Sequence, residues 1–208
     1  MAVRAANFGA IAQISHPPNG FREGRYTDMA ILKIARMGHP VLLAPARPVA
    51  DPRAPDIQAL LENMAETLED AGGVGLAAPQ VFEQHRLFIY RVPAARDDGG
   101  DEIPLSAVIN PVITPLGDKK VLGWEGCLSI PGLRAAVPRW ERIRLTGLDG
   151  AGNPLDQELS GFAARVAQHE TDHLDGILYP MRMADFRYFG FNEELARYPL
   201  QLPETEVL

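Results

Sequence analysis

The chain has 208 residues, 46% hydrophobic and 23% charged, which is enough for one well-cored globular domain and short for two. Its formal net charge of -7 and pI near 5.2 argue against a general binder of polyanions, whose phosphates are held mainly by lysine and arginine. No run of about 18 apolar residues suggests a transmembrane helix, and the single cysteine, Cys127, rules out an intramolecular disulfide and suits a reducing compartment with a free thiol.

Residues 1–28 have little apolar periodicity, contain the turn signal Pro17-Pro18-Asn19-Gly20 and lack the apolar stretch of a secretory signal. Arg4, Arg22 and Arg25 form a weak organellar-targeting pattern that Glu23 and Asp28 interrupt. Regular patterning starts at Met29, so residues 1–28 read as an N-terminal extension, either an appended arm or an upstream start codon, and 29–208 as a single domain.

Residues 30–34 have the pattern of a short strand, broken by Gly38-His39-Pro40, with His39 an ordinary loop histidine. A helix is expected over residues 55–70, where Ile57, Leu60, Leu61, Met64 and Leu68 fall on one stripe, and Gly72 and Gly73 end it. The following Gly73-Val74-Gly75-Leu76-Ala77-Ala78-Pro79-Gln80-Val81 lets a backbone pass close to a packed helix or a bound ligand. It is no phosphate loop, because the G-K-[ST] ending is absent.

Strands are expected at residues 86–92, 105–110 and 112–122, interrupted by Pro111, Pro115 and Gly117-Asp118. Asp97-Asp98-Gly99-Gly100-Asp101 reads as an exposed acidic turn without the remaining ligands of a calcium loop. Glycines at 123, 126 and 132 loosen the segment that carries Cys127. Residues 142–148 and 155–159 alternate as a hairpin around Asp149-Gly150-Ala151-Gly152-Asn153. A helix capped by Ser160 or Gly161 then turns Phe162, Val166, His169 and His173 inward and stops at Gly176, and a short helix follows near residues 192–198. Strands followed by a buried helix give an α+β fold, without internal repeats.

The segment Gln168-His169-Glu170-Thr171-Asp172-His173 is an H-E-x-x-H pattern. On a helix, His169 and His173 share one face and can close on one metal ion, while Glu170 lies just off that face, within reach of a water on the metal as general base. Cys127 is the candidate third ligand: a thiolate and two neutral imidazoles suit zinc or iron and leave a fourth position for water. Taken singly, each residue has a plain explanation, the cysteine as a small buried hydrophobe and the histidines as chance on a helix surface. Their joint presence with a usable glutamate favours a hydrolytic metal centre.

Three segments in order, Gly73 to Gln80, Glu125-Gly126-Cys127-Leu128-Ser129 and Gln168 to Gly176, resemble the signature motifs of peptide deformylases, over roughly residues 30–183. Residues 133–137 and 146–149 resemble the branch that includes organellar as well as many bacterial enzymes, whereas the first 28 residues and the last 20 or so depart from the compact bacterial pattern. The resemblance implies antiparallel β-sheets packed around a central helix carrying the H-E-x-x-H motif. It implies removal of the formyl group from the N-terminal formylmethionine of nascent polypeptides, releasing formate, with metal-bound water as nucleophile and Glu170 as general acid and base. Cys127, His169 and His173 would hold ferrous iron, with Zn(2+), Ni(2+) or Co(2+) as substitutes. Gln80, through its side-chain amide, and Leu128, through its backbone N–H, would stabilise the formyl oxygen, and Val74, Gly75 and Gly126 would line the peptide as an added strand.

The same resemblance implies N-formylmethionyl peptides as substrates, transient contact with the ribosome, no sequence-specific nucleic acid or membrane partner, and a bacterial cytoplasmic setting ahead of an organellar one. Arg165 reads as a structural ion pair, Trp124 and Trp140 as packing residues, and His16 and His85 as surface residues. Two readings of Asp172 stay open: it orients a ligand or a neighbouring segment, or it faces solvent. One rival is a general H-E-x-x-H metallopeptidase, but no histidine follows His173, and Glu193 and Glu194 lie in a polar tail. Another is an inactive metal-binding module docked on ribosomes, against which Glu170 and Gln80 argue.

Overall fold

A computed structural model describes residues 30–94 and 102–203, so the extension expected at 1–28, His16 and the acidic turn at 97–101 lie outside the described residues. Helix α1 spans Pro55–Asp70, as its apolar stripe predicts, with proline in the first turn, where a missing N–H costs nothing. It ends where Gly72 takes φ +62, and the N–H groups of Gly72 and Gly73 donate to the carbonyls of Glu69 and Leu68.

Among the described residues eight strands follow: β1 (Gly75–Ala77), β2 (Leu87–Val92), β3 (Ile103–Pro115), β4 (Lys120–Cys127), β5 (Ile130–Trp140), β6 (Arg142–Leu148), β7 (Pro154–Ser160) and β8 (Phe189–Phe191). They form a five-stranded sheet in the order β1-β2-β3-β6-β7 and a three-stranded sheet in the order β4-β5-β8. Every pairing within them is antiparallel, which makes the fold α+β with antiparallel sheets, as expected.

Alternation along β2 explains how one strand serves two cores. Leu87 and Ile89 face α1 together with Met64, Leu68, Leu76 and Ile109, while Phe88 and Tyr90 face the opposite cluster with Ala77, Val108 and Leu145. That second cluster is closed by helix α2 (Gly161–Leu174), through Ala163, Ala164, Val166 and Ala167. Helix α2 packs on β1, β2, β3, β6 and β7 from the larger sheet and on β5 from the smaller one. A last short helix, α3, covers Asn192–Arg197. Among the described residues no helix is long and apolar enough to cross a membrane.

Two local expectations are corrected. Residues 30–34 form no strand; the Ala30 and Leu32 N–H groups donate to Asn63 Oδ1 and Thr67 Oγ1 on α1 at 2.9 Å each, so side chains replace a ladder. Pro111 does not break a strand, because β3 runs through it with a register shift between Ile109 and Val112, where Asn110 takes φ +52. The Asn110 side chain holds that bulge by bonding both the N–H and the carbonyl of Val49 at 2.9 Å. The break expected within residues 112–122 at Pro115 and Gly117-Asp118 is present: β3 ends at Pro115 and β4 starts at Lys120, placing Cys127 at the end of a hairpin with β5.

Candidate metal centre

Every residue of α2 from Val166 to Leu174 is buried, although six of them, Gln168, His169, Glu170, Thr171, Asp172 and His173, are polar or ionisable; Thr171 donates from Oγ1 to the Ala167 carbonyl at 2.8 Å. Burial without partners costs each such group kilocalories, so the bonds must be accounted for one by one. Gln168 exchanges bonds with the Trp140 backbone, donating from Nε2 at 2.9 Å and accepting at Oε1 at 3.0 Å. Asp172 accepts from Arg139 Nη1 at 2.5 Å and from Arg182 Nη2 at 2.8 Å. His169 Nδ1 lies 2.9 Å from Glu125 Oε2, which leaves Nε2 of the same ring for another role. Gly176, at φ +73, ends the helix against the 3₁₀ turn Pro40–Leu43, and a Cβ there would lie 2.7 Å from the Leu43 carbonyl oxygen.

The side chains of Cys127, His169 and His173 converge. The Cys127 sulfur lies 3.2 Å from His173 Nε2, and one donor atom from each of Cys127, His169 and His173 falls within 4.8 Å of the others. A register irregularity between Gly126 and Cys127 aims the thiol, as bulges do beside functional sites. Burial pushes the Cys127 thiol up, but the imidazoles of His173 and His169 outweigh it and hold the thiol well below its ordinary value. Burial likewise disfavours charge on His169, yet Cys127 and Glu125 raise it well above the usual imidazole value. A sulfur held as thiolate between two imidazoles is the donor set that soft and borderline divalent metals take, so these residues fit a metal ion.

Glu170 sits beside this group with Oε2 among the buried atoms lacking a hydrogen-bond partner in the described residues. Burial pushes its carboxyl up to about 7, partly offset by His169 and His173. Gly75 on β1 makes room for it: a Cβ there would lie 2.1 Å from Glu170 Oε1. Gln80 lies in a 3₁₀ turn, Ala78–Val81, that leaves β1. Its Oε1 accepts from the Ala77 N–H at 2.8 Å, which fixes the amide so that Nε2 points to Ser129 Oγ at 3.2 Å and Cys127 Sγ at 3.5 Å.

Residues 31–188 match the family model for polypeptide deformylase. The chain belongs to the peptide deformylase family. Deformylases are metal-dependent hydrolases that remove the N-formyl group from nascent polypeptides, and Cys127, His169 and His173 are the candidate metal group among the described residues. Peptide deformylase 1 of Nitrosomonas europaea is 46% identical over 166 residues, covering 79% of this chain and 94% of that protein. Peptide deformylase 2 of Ralstonia nicotianae is 48% identical over 166 residues, with 79% and 94% covered. The Met-Ala-Ser-bound class I type b peptide deformylase of Acinetobacter baumannii superposes with a TM-score of 0.69 at 34% identity, over 74% of this chain and 99% of that one.

The remaining expected positions of this deformylase fall around the cluster. Val74 is half-buried against the α2 core, Gly126 is exposed opposite Arg134, and Leu128 is half-buried in the turn that follows Cys127. Arg165 is the structural ion pair expected of it, donating to Glu125 Oε1 at 2.8 Å and to the Val137 carbonyl at 2.7 Å. Asp172 does not face solvent; it is buried between two arginines. Trp140 packs against the α2 core, and Trp124 meets Tyr188 edge to face. His39 accepts from the Val41 N–H in a loop, and His85 is half-buried, 3.9 Å from Glu83.

Sequence reasoning gave no role to Glu125, Ser129, Arg139, Tyr179 or Arg182. Glu125 was findable, since it stands two residues before the lone cysteine inside the same glycine-flanked segment. Arg139 bonds Glu125 from across the β4–β5 hairpin, and Tyr179 stacks on His169 with centroids 6.1 Å apart; neither leaves a local pattern.

Proposed function

We propose that this chain hydrolyses the formamide of N-formylmethionyl polypeptides, releasing formate, at a divalent metal held by Cys127, His169 and His173, with ferrous iron as the native ion. The observation that carries this reading is the convergence of those three donors beside Glu170, a buried carboxyl with one oxygen unpaired. When bound, the metal supplies Lewis acidity, bringing the pKa of a water towards neutrality. The H-E-x-x-H motif on helix α2, central to the fold in this reading, sets both imidazoles and the carboxyl in one place.

Glu170, with its carboxyl near 7, accepts a proton close to neutral pH and returns it to the departing amine. Gln80 Nε2, its amide already oriented, and the Leu128 backbone N–H donate to the formyl oxygen as it gains negative charge. In comparable sites one such donor is worth about 2.7 to 4 kcal/mol. Strand β1 is an edge of the larger sheet, so an extended peptide can add along Val74 and Gly75, with Gly126 on its other side and the methionine in an apolar pocket. The bound Met-Ala-Ser in the Acinetobacter baumannii relative is a peptide of the expected kind.

Residues 29–208 act as a single catalytic domain in this reading, with 1–28 dispensable for the reaction. The setting is the bacterial cytoplasm, with transient ribosome contact and no sequence-specific nucleic-acid binding. The test is formate release from formyl-Met-Ala-Ser, against its acetylated counterpart, on protein purified without air and analysed for metal. Cleavage of internal peptide bonds with no formate would overturn the proposal.

A further inference from the structure

Beyond α2 the chain makes a 3₁₀ turn, Tyr179–Arg182, whose two end residues reach back to the candidate metal centre. At one end the Tyr179 ring lies nearly parallel to the His169 imidazole, at 25° and 6.1 Å between centroids. At the other, Arg182 donates from Nη2 to Asp172 Oδ1 at 2.8 Å and from Nε to Oδ2 at 3.2 Å. Asp172 Oδ2 also accepts from Arg139 Nη1 at 2.5 Å, and Arg139 forks onto Glu125 through Nε at 2.9 Å and Nη2 at 3.0 Å. Glu125 Oε2 then meets His169 Nδ1 at 2.9 Å.

Three of the four charged groups in this line are buried: Glu125, Arg139 and Asp172. Such groups are held in place by the geometry of their partners, because no water stands ready to replace a lost bond. Arg182 is the exception, with its side chain 47% exposed. It closes the line from outside, and by clamping its own turn it also seats Tyr179 against the face of the same imidazole.

We infer that Arg182 is a positioning residue for His169, acting through Asp172, Arg139 and Glu125 on Nδ1 and through the seat of Tyr179 on the ring face. The inference rests on the reading of His169 as a metal ligand. Partners one bond removed from a ligand typically change metal affinity 10- to 100-fold when lost, and Arg182 stands further out, so an effect of about 3- to 10-fold is expected. Its exposure means that replacing it leaves the core packing intact.

The experiment loads the full chain with cobalt(II) and compares the parent with Arg182→Met, Arg182→Lys and, as a control, Arg187→Ala. Arg187 forms an ion pair with Asp185 three residues beyond the turn and has no link to Asp172. The readouts are the cobalt absorption bands, the rate of metal release to a chelator, and kcat and KM, with far-UV circular dichroism as a check of fold. Arg182→Met is expected to shift the bands, release cobalt about 3- to 10-fold faster and lower kcat with KM little changed, while Arg182→Lys recovers much of the loss and Arg187→Ala behaves as the parent. Bands and release rate equal to the parent in Arg182→Met, even with a lowered Tm, would make the contact merely structural and overturn the inference alone. A parent chain that takes up no cobalt would overturn the metal-centre reading and this inference with it.

Discussion

Glu125 Oε2 lies 2.9 Å from His169 Nδ1, and the same carboxylate accepts from Arg139 at 2.9 and 3.0 Å and from Arg165 at 2.8 Å. One buried acid thus orients an imidazole and balances two guanidinium groups. Burial works against its charge, but His169 and Arg139 more than offset that and hold the carboxyl far below its ordinary value.

Replacing Glu125 by Gln keeps the shape and removes the charge, leaving Arg139 with a single buried acidic partner. Breaking a buried pair from one side costs about 3 to 5 kcal/mol, so Glu125→Gln is expected to lose that order of stability in urea unfolding. Because the His169 ring loses its strongest acceptor, metal affinity should fall about 10- to 100-fold as well. A variant with parental stability and parental metal binding would remove Glu125 from both roles.

Gly75 stands where β1 meets Glu170, and a Cβ would intrude to 2.1 Å from Oε1. The backbone of β1 still pairs with β2 through Gly75 and Tyr90, so Gly75→Ala should fold, at a cost of about 1 to 3 kcal/mol for overpacking. The carboxyl must move aside, and a displacement of about 1 Å in a reacting group costs on the order of 10²-fold in rate. The comparison to make is formate release by Gly75→Ala against the parent, with thermal unfolding alongside; an unchanged kcat would mean that Glu170 does not need its observed place.

The legible parts of this chain were those whose signals are local. Helix α1 showed itself through a 3.6-residue stripe, and the β6–β7 hairpin through alternation around Asp149, whose side chain accepts from the N–H groups of Ala151 and Asn153. The bulge at Asn110 was not legible, because a proline in a strand reads as a break unless one knows that the residue before it holds Val49 from 61 positions away. The same holds for the site. The H-E-x-x-H spacing and the lone cysteine announce ligands, whereas the bonds from Glu125 to Arg139 and His169 span 14 and 44 positions and arise only when β4, β5 and α2 are packed.

Glu170 has an ordinary carboxyl value of 4.5, and burial pushes it up to about 7 in the folded chain. Between those values the folded state binds the extra proton, so the stability this group contributes is full below about pH 4.5 and is lost as pH rises through about 7. The difference corresponds to about 3 kcal/mol at alkaline pH. Glu170→Gln, which carries no charge, should therefore be more stable than the parent above pH 7 in metal-free protein, by up to about that amount, with the gain vanishing near pH 4.5. In the metal-loaded enzyme the same change should lower kcat by about 10²- to 10⁴-fold. Equal kcat would show that the proton travels by another group.

Cys127 tests the centre from the other side. Its sulfur lies 3.2 Å from His173 Nε2 and 3.5 Å from Gln80 Nε2, and its charge is among the causes that hold His169 above its ordinary imidazole value. Cys127→Ala removes one of three donors together with that charge. In the metal-free protein the His169 imidazole should then titrate at lower pH than in the parent, readable from its ring proton resonances. In protein purified without air, bound metal and formate release should both fall to background, since two imidazoles alone leave a chelate with one protein ligand fewer than a catalytic site of this type holds. Metal content equal to that of the parent would remove the thiol from the ligand set and send the search for a third donor to Glu170, the nearest acid left without a partner on one oxygen.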